Sequence, residues 1–292
     1  MTEMKITVGH LYPGLMSTFG DRGNVETIVR RCRWRNIAVA VTELRQGDKV
    51  VPGEVDIIMI GGGSASQQRL IAEDLYKVKG SGIRDSVAAG AAALAVGGGF
   101  ELCGRFCQPE KGAELRGIEL FDSWTIRQCT TRPGTTQPGT TSQGASPQGA
   151  SPQGSNPDDH EDTAPEASAE RFIGDLVVRW DGGLLVGVEN HSGATYLGPA
   201  ARPLGQVLAG HGNNGDGSEG VVLGGAVGTN LGGPCLPTNP ALADFLVGAA
   251  LRHRYGIAEL TPLADDLELA ARDAAVQRTR PAARSHRPAG TL

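Results

Sequence analysis

Short apolar segments that end in glycines constrain the fold of this chain more than any other sequence feature. The segments IIMIGGG, at residues 57–63, and AALAVGGG, at residues 92–99, contain no polar residue. Strands that are buried on both faces have continuous apolar runs of this kind, whereas strands with one exposed face alternate apolar and polar residues. The two segments therefore predict the central strands of a parallel sheet with helices on both faces.

The rest of the pattern alternates between strands and helices. Near the start, MKITVGHLY and IAVAVTEL read as strands, whereas DRGNVETIVRRCRWRN reads as a helix that Asp21 could cap, and SQQRLIAEDLYKVKG and SGIRDSVAAG read as further helices. Later, RFIGDLVVRW, LLVGVENHSG and GVVLGGAVGTN predict three strands, and NPALADFLVGAALRHRYG predicts a helix. This alternation predicts a single α/β domain made of residues 1–129 and 170–258.

Two segments differ in composition from the predicted domain. Residues 130–169 contain near-repeats of TTxPG and ASPQG and almost nothing apolar. Such a segment cannot bury enough surface to offset its ordering entropy, so we expect a disordered insertion, and a passive loop is favoured over a binding segment. Residues 259–292 are predicted to form a C-terminal tail that is frayed from Arg272 onward, where the sequence is basic and contains proline.

Bulk composition excludes several classes of function. The net charge of −5 argues against nucleic acid as a partner, and no apolar run approaches the ~20 residues that span a bilayer. The N-terminus lacks the basic patch and apolar core of a secretory signal, so we expect a cytoplasmic location without membrane insertion. The glycine-rich turns do not give GxxxxGK[ST], which disfavours a nucleotide-binding loop.

The cysteines and histidines do not form a recognisable metal site. The five cysteines are odd in number and scattered, so neither a disulfide framework nor a metal site is expected, although Cys103 and Cys107 would share a helix face. His211 opens the segment HGNNGDGSEG, whose spacing does not fit a calcium-binding EF-hand loop, and a turn is the better interpretation.

The segment LAVGGGFELCG, at residues 94–104, predicts a strand, a tight turn and a helix. In α/β enzymes this turn often carries a nucleophile, which is lifted clear of the sheet. Here its apex consists of glycines, so the turn has no side chain to offer.

Several motifs together resemble one family. LYPGLMSTFGDRGNV, DIIMIGGGSASQQ, LAVGGGFELCG, GIELFDSW, ERFIGDLVV, VGVENHSGATYLG, HGNNGDGSEG and GTNLGGPCLPTNPALAD occur in this order. In this respect the chain resembles the GatD subunits of lipid II isoglutaminyl synthase, which are class I glutamine amidotransferases of the cobyric acid synthase type with a flavodoxin-like fold. The resemblance covers residues 5–255 apart from the insertion.

The resemblance implies a glutaminase that forms a heterodimer with MurT, a Mur-ligase-like subunit. A cysteine on the elbow attacks the glutamine amide, a histidine acts as its base, and backbone amides stabilise the oxyanion. The released ammonia passes to the ligase, which amidates the D-glutamate of the lipid II stem peptide during peptidoglycan biosynthesis. The resemblance implies no cofactor on this chain and ATP on the partner ligase.

Both catalytic positions implied by the family are glycine in this chain. The family's elbow, roughly LxICGGYQxxG, matches LAVGGGFELCG and places the nucleophile at Gly97. The later motif, roughly GTYLHGPxLPxNP, matches GTNLGGPCLPTNP and places the general base at Gly232, with Asn230 where the family has tyrosine. The resemblance therefore implies a protein without its catalytic pair.

Other positions of the implied site are retained. Arg171 matches the arginine of an RxxGD motif, whose guanidinium would bind the α-carboxylate of glutamine. Backbone amides for an oxyanion would come from the Gly61–Gly63 turn, chiefly Gly62, and from Gly98 on the elbow. His191 matches a family motif near the site, and a supporting role behind the catalytic residues is favoured for it.

Three alternatives remain open from the sequence. The chain could be an active glutaminase with a displaced cysteine, although Cys103 lies six residues beyond Gly97, or roughly 9 Å along a helix. Cys235, three residues beyond Gly232, is the other candidate for a displaced cysteine. The chain could also be a module that senses glutamine, or a scaffold without chemistry.

Overall fold

A computed structural model describes residues 4–127, 171–257 and 259–279. Along the chain the strands and helices are β1 (Lys5–Leu11), α1 (Arg22–Arg33), β2 (Ala38–Leu44), β3 (Ile57–Ile60), α2 (Ala65–Asp74), α3 (Gly80–Ala88), β4 (Ala92–Val96), α4 (Gly98–Cys103), β5 (Phe106–Gln108), β6 (Leu115–Arg116), β7 (Ser123–Arg127), β8 (Phe172–Trp180), β9 (Gly183–His191), β10 (Gly193–Leu197), β11 (Gly205–Ala209), β12 (Ser218–Glu219), β13 (Val221–Leu223), β14 (Ala226–Thr229), α5 (Pro240–Tyr255) and α6 (Asp266–Thr279). A π-helical turn, Leu75–Lys79, joins α2 to α3.

The centre of the molecule is a six-stranded sheet with the order β13-β14-β4-β3-β1-β2. All neighbouring strands run parallel except β13, which pairs antiparallel with β14 at the edge. The predicted mostly parallel sheet is therefore confirmed. Strands β3 and β4 are buried along their whole length, as their apolar runs predict.

Helices cover both faces of this sheet. In β3, Ile57 and Met59 pack into an apolar cluster that contains residues of α1 and α5. Ile58 and Ile60 point the other way, into a cluster that contains residues of α2 and α3. This division follows from the two-residue period of a strand, and it explains why β3 has no polar side.

Two smaller sheets accompany the central sheet, and they contain the predicted strands β8 and β9 together with strands that the sequence analysis did not predict. One has the order β10-β7-β5-β6, and the other, β12-β11-β8-β9, is antiparallel throughout. Strands β5, β6 and β12 contain only two or three residues, which is too short for a periodic pattern to register. The segment GVVLGGAVGTN, predicted to be one strand, is instead the hairpin β13–β14, because the chain reverses at Gly224 with φ +57°.

The C-terminal part of the described chain is more ordered than predicted. Helix α6 includes residues 272–279, which were expected to be frayed. The segment before it is bound by Arg31, which contacts Asp265 at 2.6 Å and Asp244 of α5 at 2.7 Å. The predicted insertion at 130–169 and residues 280–292 lie outside the described residues. Within the described ranges, no helix is both long and apolar enough to cross a membrane.

Candidate functional site

The elbow predicted from the sequence is present between β4 and α4. Gly97 has φ +50° and ψ −117°, and its N–H donates to the Thr229 carbonyl at 2.8 Å. A Cβ placed on Gly97 would have the Cα of Gly62 as its nearest neighbour, 3.9 Å away. The position therefore has room for a side chain, but its backbone conformation is one that residues other than glycine adopt only under strain.

The replacement Gly97→Ala is expected to lower the free energy of unfolding by about 1–3 kcal/mol, because the left-handed backbone strain appears without a steric clash. Guanidinium unfolding followed by circular dichroism measures this change. Gly14→Ala serves as the matched control, since Gly14 has no atom within 4 Å of its added Cβ and lacks a positive φ. Equal stability of the two variants would contradict the strain at the elbow.

Gly232 follows strand β14, which ends at Thr229. It forms an antiparallel bridge with Val188 of β9, in which the Gly232 N–H donates to the Val188 carbonyl at 2.9 Å. An added Cβ would lie 3.1 Å from that carbonyl oxygen, which is close contact. Gly97, Gly232 and Asn230 line one cleft of about 840 Å³, so the structure brings together the positions that the sequence analysis selected.

One of the two expected oxyanion donors is already occupied. The Gly62 N–H donates to Oδ2 of Asp21 at 2.8 Å, and burial raises the pKa of this carboxyl to about 6. Asp21 was expected to cap α1, but its side chain makes no capping hydrogen bond and instead holds the glycine turn. Gly98 is the first residue of α4, where the helix itself offers the N–H no acceptor.

Arg171 also lines the cleft, directly before β8. Its Nη2 donates to Oδ1 of Asn190 at 2.6 Å, and the side chain is exposed. Within the part of the chain that the structure describes, no carboxylate forms an ion pair with Arg171. The guanidinium is held in place by an amide and keeps its charge available for a ligand.

His191 lines the same cleft and is buried. Its Nδ1 lies 2.8 Å from the Gly193 carbonyl, and its Nε2 lies 3.9 Å from a carboxylate oxygen of Glu189. Burial alone would lower the pKa of His191, but Glu189 and the Gly193 carbonyl outweigh burial and raise it. Glu189 also accepts from the backbone of His211 at 2.8 Å and so stabilises the turn that His211 begins.

Three cleft residues were missed by the sequence analysis. Arg127, at the end of β7, donates to Gln68 of α2 at 2.9 Å and forms an ion pair with the buried Glu101 of α4. Gln68 in turn lies beside the elbow, because its Nε2 would be 2.2 Å from a Cβ placed on Gly98. Strand β7 was not predicted, so no pattern in the sequence indicated that Arg127 contacts Gln68 and Glu101.

Neither candidate for a displaced cysteine is placed to react. Cys103 and Cys235 are buried, they are absent from the cleft lining, and burial raises the pKa of both thiols to about 12. Thiolate is the reactive form, so a raised pKa makes these groups inert near neutral pH. Within the described residues, no group of histidines, cysteines and carboxylates could hold a metal ion.

With Cys129, which lies outside the described residues, replaced by serine, a glutamine-analogue electrophile is expected to leave the native protein unlabelled. The other four cysteines are all buried, and they should react only after unfolding in guanidinium. Intact mass before and after denaturation checks this result. Stoichiometric labelling of native Cys103 or Cys235 would instead restore the displaced-cysteine alternative.

The fold and the elbow at the carboxyl end of β4 define an amidotransferase-like α/β protein. The family model of the CobB/CobQ-like glutamine amidotransferase domain matches residues 7–155, and the chain belongs to this family. It is 28% identical to the GatD subunit of the glutamine-hydrolysing lipid II isoglutaminyl synthase of Staphylococcus aureus N315, over 94% of this chain and 96% of that protein. It is 29% identical to the GatD subunit of Streptococcus pneumoniae R6, over 90% of this chain and 87% of that protein.

A solved structure supports the fold assignment. A chain of PurLQS from Thermotoga maritima superposes with a TM-score of 0.50 at 12% identity, covering 86% of this chain and 99% of that chain. At this identity the match concerns the fold alone. The expected fold class, a class I glutamine amidotransferase with a mostly parallel sheet, and the expected likeness to GatD are therefore both confirmed.

Proposed function

We propose that this chain is a GatD-like subunit of a lipid II isoglutaminyl synthase that does not itself hydrolyse glutamine. In this proposal it pairs with a MurT-like ligase, which binds ATP and amidates the stem-peptide D-glutamate with ammonia from another source. The proposal includes the cytoplasmic location expected from the sequence. The amidotransferase family and the similarity to two GatD subunits support the subunit role.

The observation that carries the absence of hydrolysis is the pair of glycines, Gly97 and Gly232, in one cleft. Attack on an amide by an activated thiol requires both the nucleophile and its base. A glycine supplies neither group, and the elbow position has free space where a side chain would project. The bond from Gly62 to Asp21 further reduces the donors available to an oxyanion.

The proposal is tested by purifying this chain together with the MurT-like ligase of the same organism. Amidation of lipid II is measured with glutamine and, separately, with ammonium, each in the presence of ATP. We expect activity with ammonium and none above background with glutamine. The Staphylococcus aureus GatD subunit with its own ligase is the positive control for glutamine. Equal activity of this chain's complex with both nitrogen donors would refute the proposal.

A second candidate function is a binding module that senses a small ligand without chemistry. The observation in its favour is the cleft itself, which retains Arg171 without a carboxylate partner among the described residues. Failure to co-purify with any ligase, together with ligand binding by calorimetry, would favour this candidate. A subunit that co-purifies with the ligase but binds no ligand would favour a scaffold.

A further inference from the structure

One edge of the central sheet is open to a further strand. Strand β2 forms this edge and, in the described part of the chain, pairs with β1 alone, over seven residues in an unbroken register. It contains no proline, lysine or bulge, which are features that keep edge strands from pairing with other chains. The opposite edge strand, β13, has three residues, and its Val222 is already bridged to Arg202. Of the two edges, β2 is therefore the one that can accept another strand.

The outward backbone groups of β2 follow from its bonds to β1. At its start, the Ala38 N–H donates to the Met4 carbonyl at 2.8 Å, and at its end the Leu44 carbonyl accepts from the Tyr12 N–H at 2.8 Å. Alternate residues of a strand direct their N–H and C=O groups to the same neighbour, so residues 38, 40, 42 and 44 bond to β1. The outward residues are Val39, Val41 and Glu43.

The outward groups of these three residues are accessible. None of their N–H and C=O groups that point away from β1 has a hydrogen-bond partner within the described ranges. Val41 is 44% exposed, and Trp34, which follows α1 shortly before the strand begins, is 56% exposed. An accessible row of donors and acceptors beside exposed apolar side chains is a template for another strand.

The edge is self-complementary about Val41. When two copies of β2 lie antiparallel with Val41 of one copy opposite Val41 of the other, Val39 of each copy lies opposite Glu43 of the other. The outward residues then face one another in pairs that exchange both of their backbone hydrogen bonds. An isologous contact of this kind closes a two-fold dimer and leaves no edge free for a third copy.

The charges near the two ends of β2 are complementary in this arrangement. Arg33, in the last turn of α1, is exposed and has no ion-pair partner in the described part of the chain. Val39 packs against the apolar cluster that contains residues of α1, so Glu43, an even number of residues away, lies on the same face of the sheet as α1. Antiparallel pairing therefore places the half-exposed Glu43 of one copy at the end of the sheet where Arg33 of the other copy lies.

We propose that two copies of this chain pair through their β2 edges and form a dimer in which one sheet continues across both molecules. Each copy donates three backbone N–H groups and accepts at three carbonyls, while Val41 and Trp34 lose solvent contact. None of the residues that line the cleft belongs to β2, so both clefts remain accessible in the dimer. The inference therefore does not depend on the proposed function.

Sedimentation equilibrium of the full chain measures the dimer. The mass should double from the 30.3 kDa of the monomer as the protein concentration rises from about 1 to about 100 µM, as expected for a small interface. Val41→Pro should raise the dissociation constant at least about tenfold, because proline lacks the outward N–H but leaves the bonds to β1 intact. Val41→Thr is the matched control, since it keeps the N–H and the branched shape, and should leave the dissociation constant unchanged.

A charge exchange at the exposed Glu43 and Arg33 tests the same interface without proline. Glu43→Arg should weaken the dimer, and Arg33→Glu added to it should restore the dimer. Hydrogen exchange is a further readout, in which the amides of Val39, Val41 and Glu43 should become protected only at high protein concentration.

Two results would overturn the inference directly. One is a chain that remains monomeric up to about 100 µM, well above the range expected for a specific contact between folded surfaces. The other is a dimer that persists unchanged in both the folded Val41→Pro variant and the Glu43→Arg variant. Protection of the outward amides only after addition of the MurT-like ligase would also overturn it, and would assign the β2 edge to that ligase.

Discussion

Replacement of Arg31 by methionine is expected to lower the free energy of unfolding by about 3 kcal/mol, the lower end of the range for breaking a buried ion pair. The Arg31 side chain is 2% exposed and binds Asp244 and Asp265 at once, each through two hydrogen bonds. Arg35 still pairs with Asp244 in the variant, whereas Asp265 loses its partner. Both aspartates keep some solvent contact, which is why we expect the lower end of the range.

Arg30→Met is the matched control for this measurement. Arg30 lies on the same helix, its side chain is 62% exposed, and its ion pair with Glu26 is an ordinary surface contact. Its removal should change stability by less than about 0.5 kcal/mol. Urea unfolding followed by circular dichroism compares the two variants. Similar small losses in both would show that the tail segment around Asp265 is not held by Arg31.

Installing the missing pair, as Gly97→Cys with Gly232→His, is expected to raise glutamine hydrolysis at least about 100-fold above that of the unmodified chain. General base catalysis by a positioned histidine contributes roughly 10²–10⁴-fold, and the thiol supplies the nucleophile. The new side chain at 97 has free space, whereas the one at 232 must move the Val188 carbonyl by a few tenths of an ångström. Glutamate release in a coupled assay measures the gain.

The control for this experiment is Gly97→Ala with Gly232→His, which has the same backbone strain without a thiol. It should remain at background, and so should each single replacement. Gain of activity in the cysteine variant alone would support the assignment of positions 97 and 232. A correctly folded double variant that binds glutamine without hydrolysing it would count against that assignment.

The central sheet could be predicted because its signals are local. Strands β3 and β4 and helix α5 each carry a full apolar pattern within their own residues. The small sheets could be predicted only in part: β8 and β9 carry a strand pattern, whereas strands such as β6 have two residues and are defined only by their neighbours. The hairpin β13–β14 was read as one strand since its turn consists of glycines that a strand pattern also tolerates.

The candidate site likewise has residues that local motifs predict and residues that only tertiary contacts bring together. Gly97 and Gly232 could be identified because each lies in a segment that matches a motif of the family. The ion pair of Arg127 with Glu101 joins residues 26 positions apart on β7 and α4, and no local pattern encodes it. Asp21 was read as a helix cap for its position before α1, yet tertiary packing directs its carboxylate to the Gly62 amide.

The close packing around the Gly61–Gly63 turn also limits how this protein can change over evolutionary time. An added Cβ at Gly61 would lie 2.4 Å from Asp21 and from the Met16 carbonyl, and one at Gly99 would lie 2.7 Å from the Gly61 carbonyl. Gly61 and Gly99 therefore accept no side chain, whereas Gly97 beside them has space for one. Val188 of β9 also lines the cleft and is 46% exposed, so mutations that alter ligand choice should accumulate there.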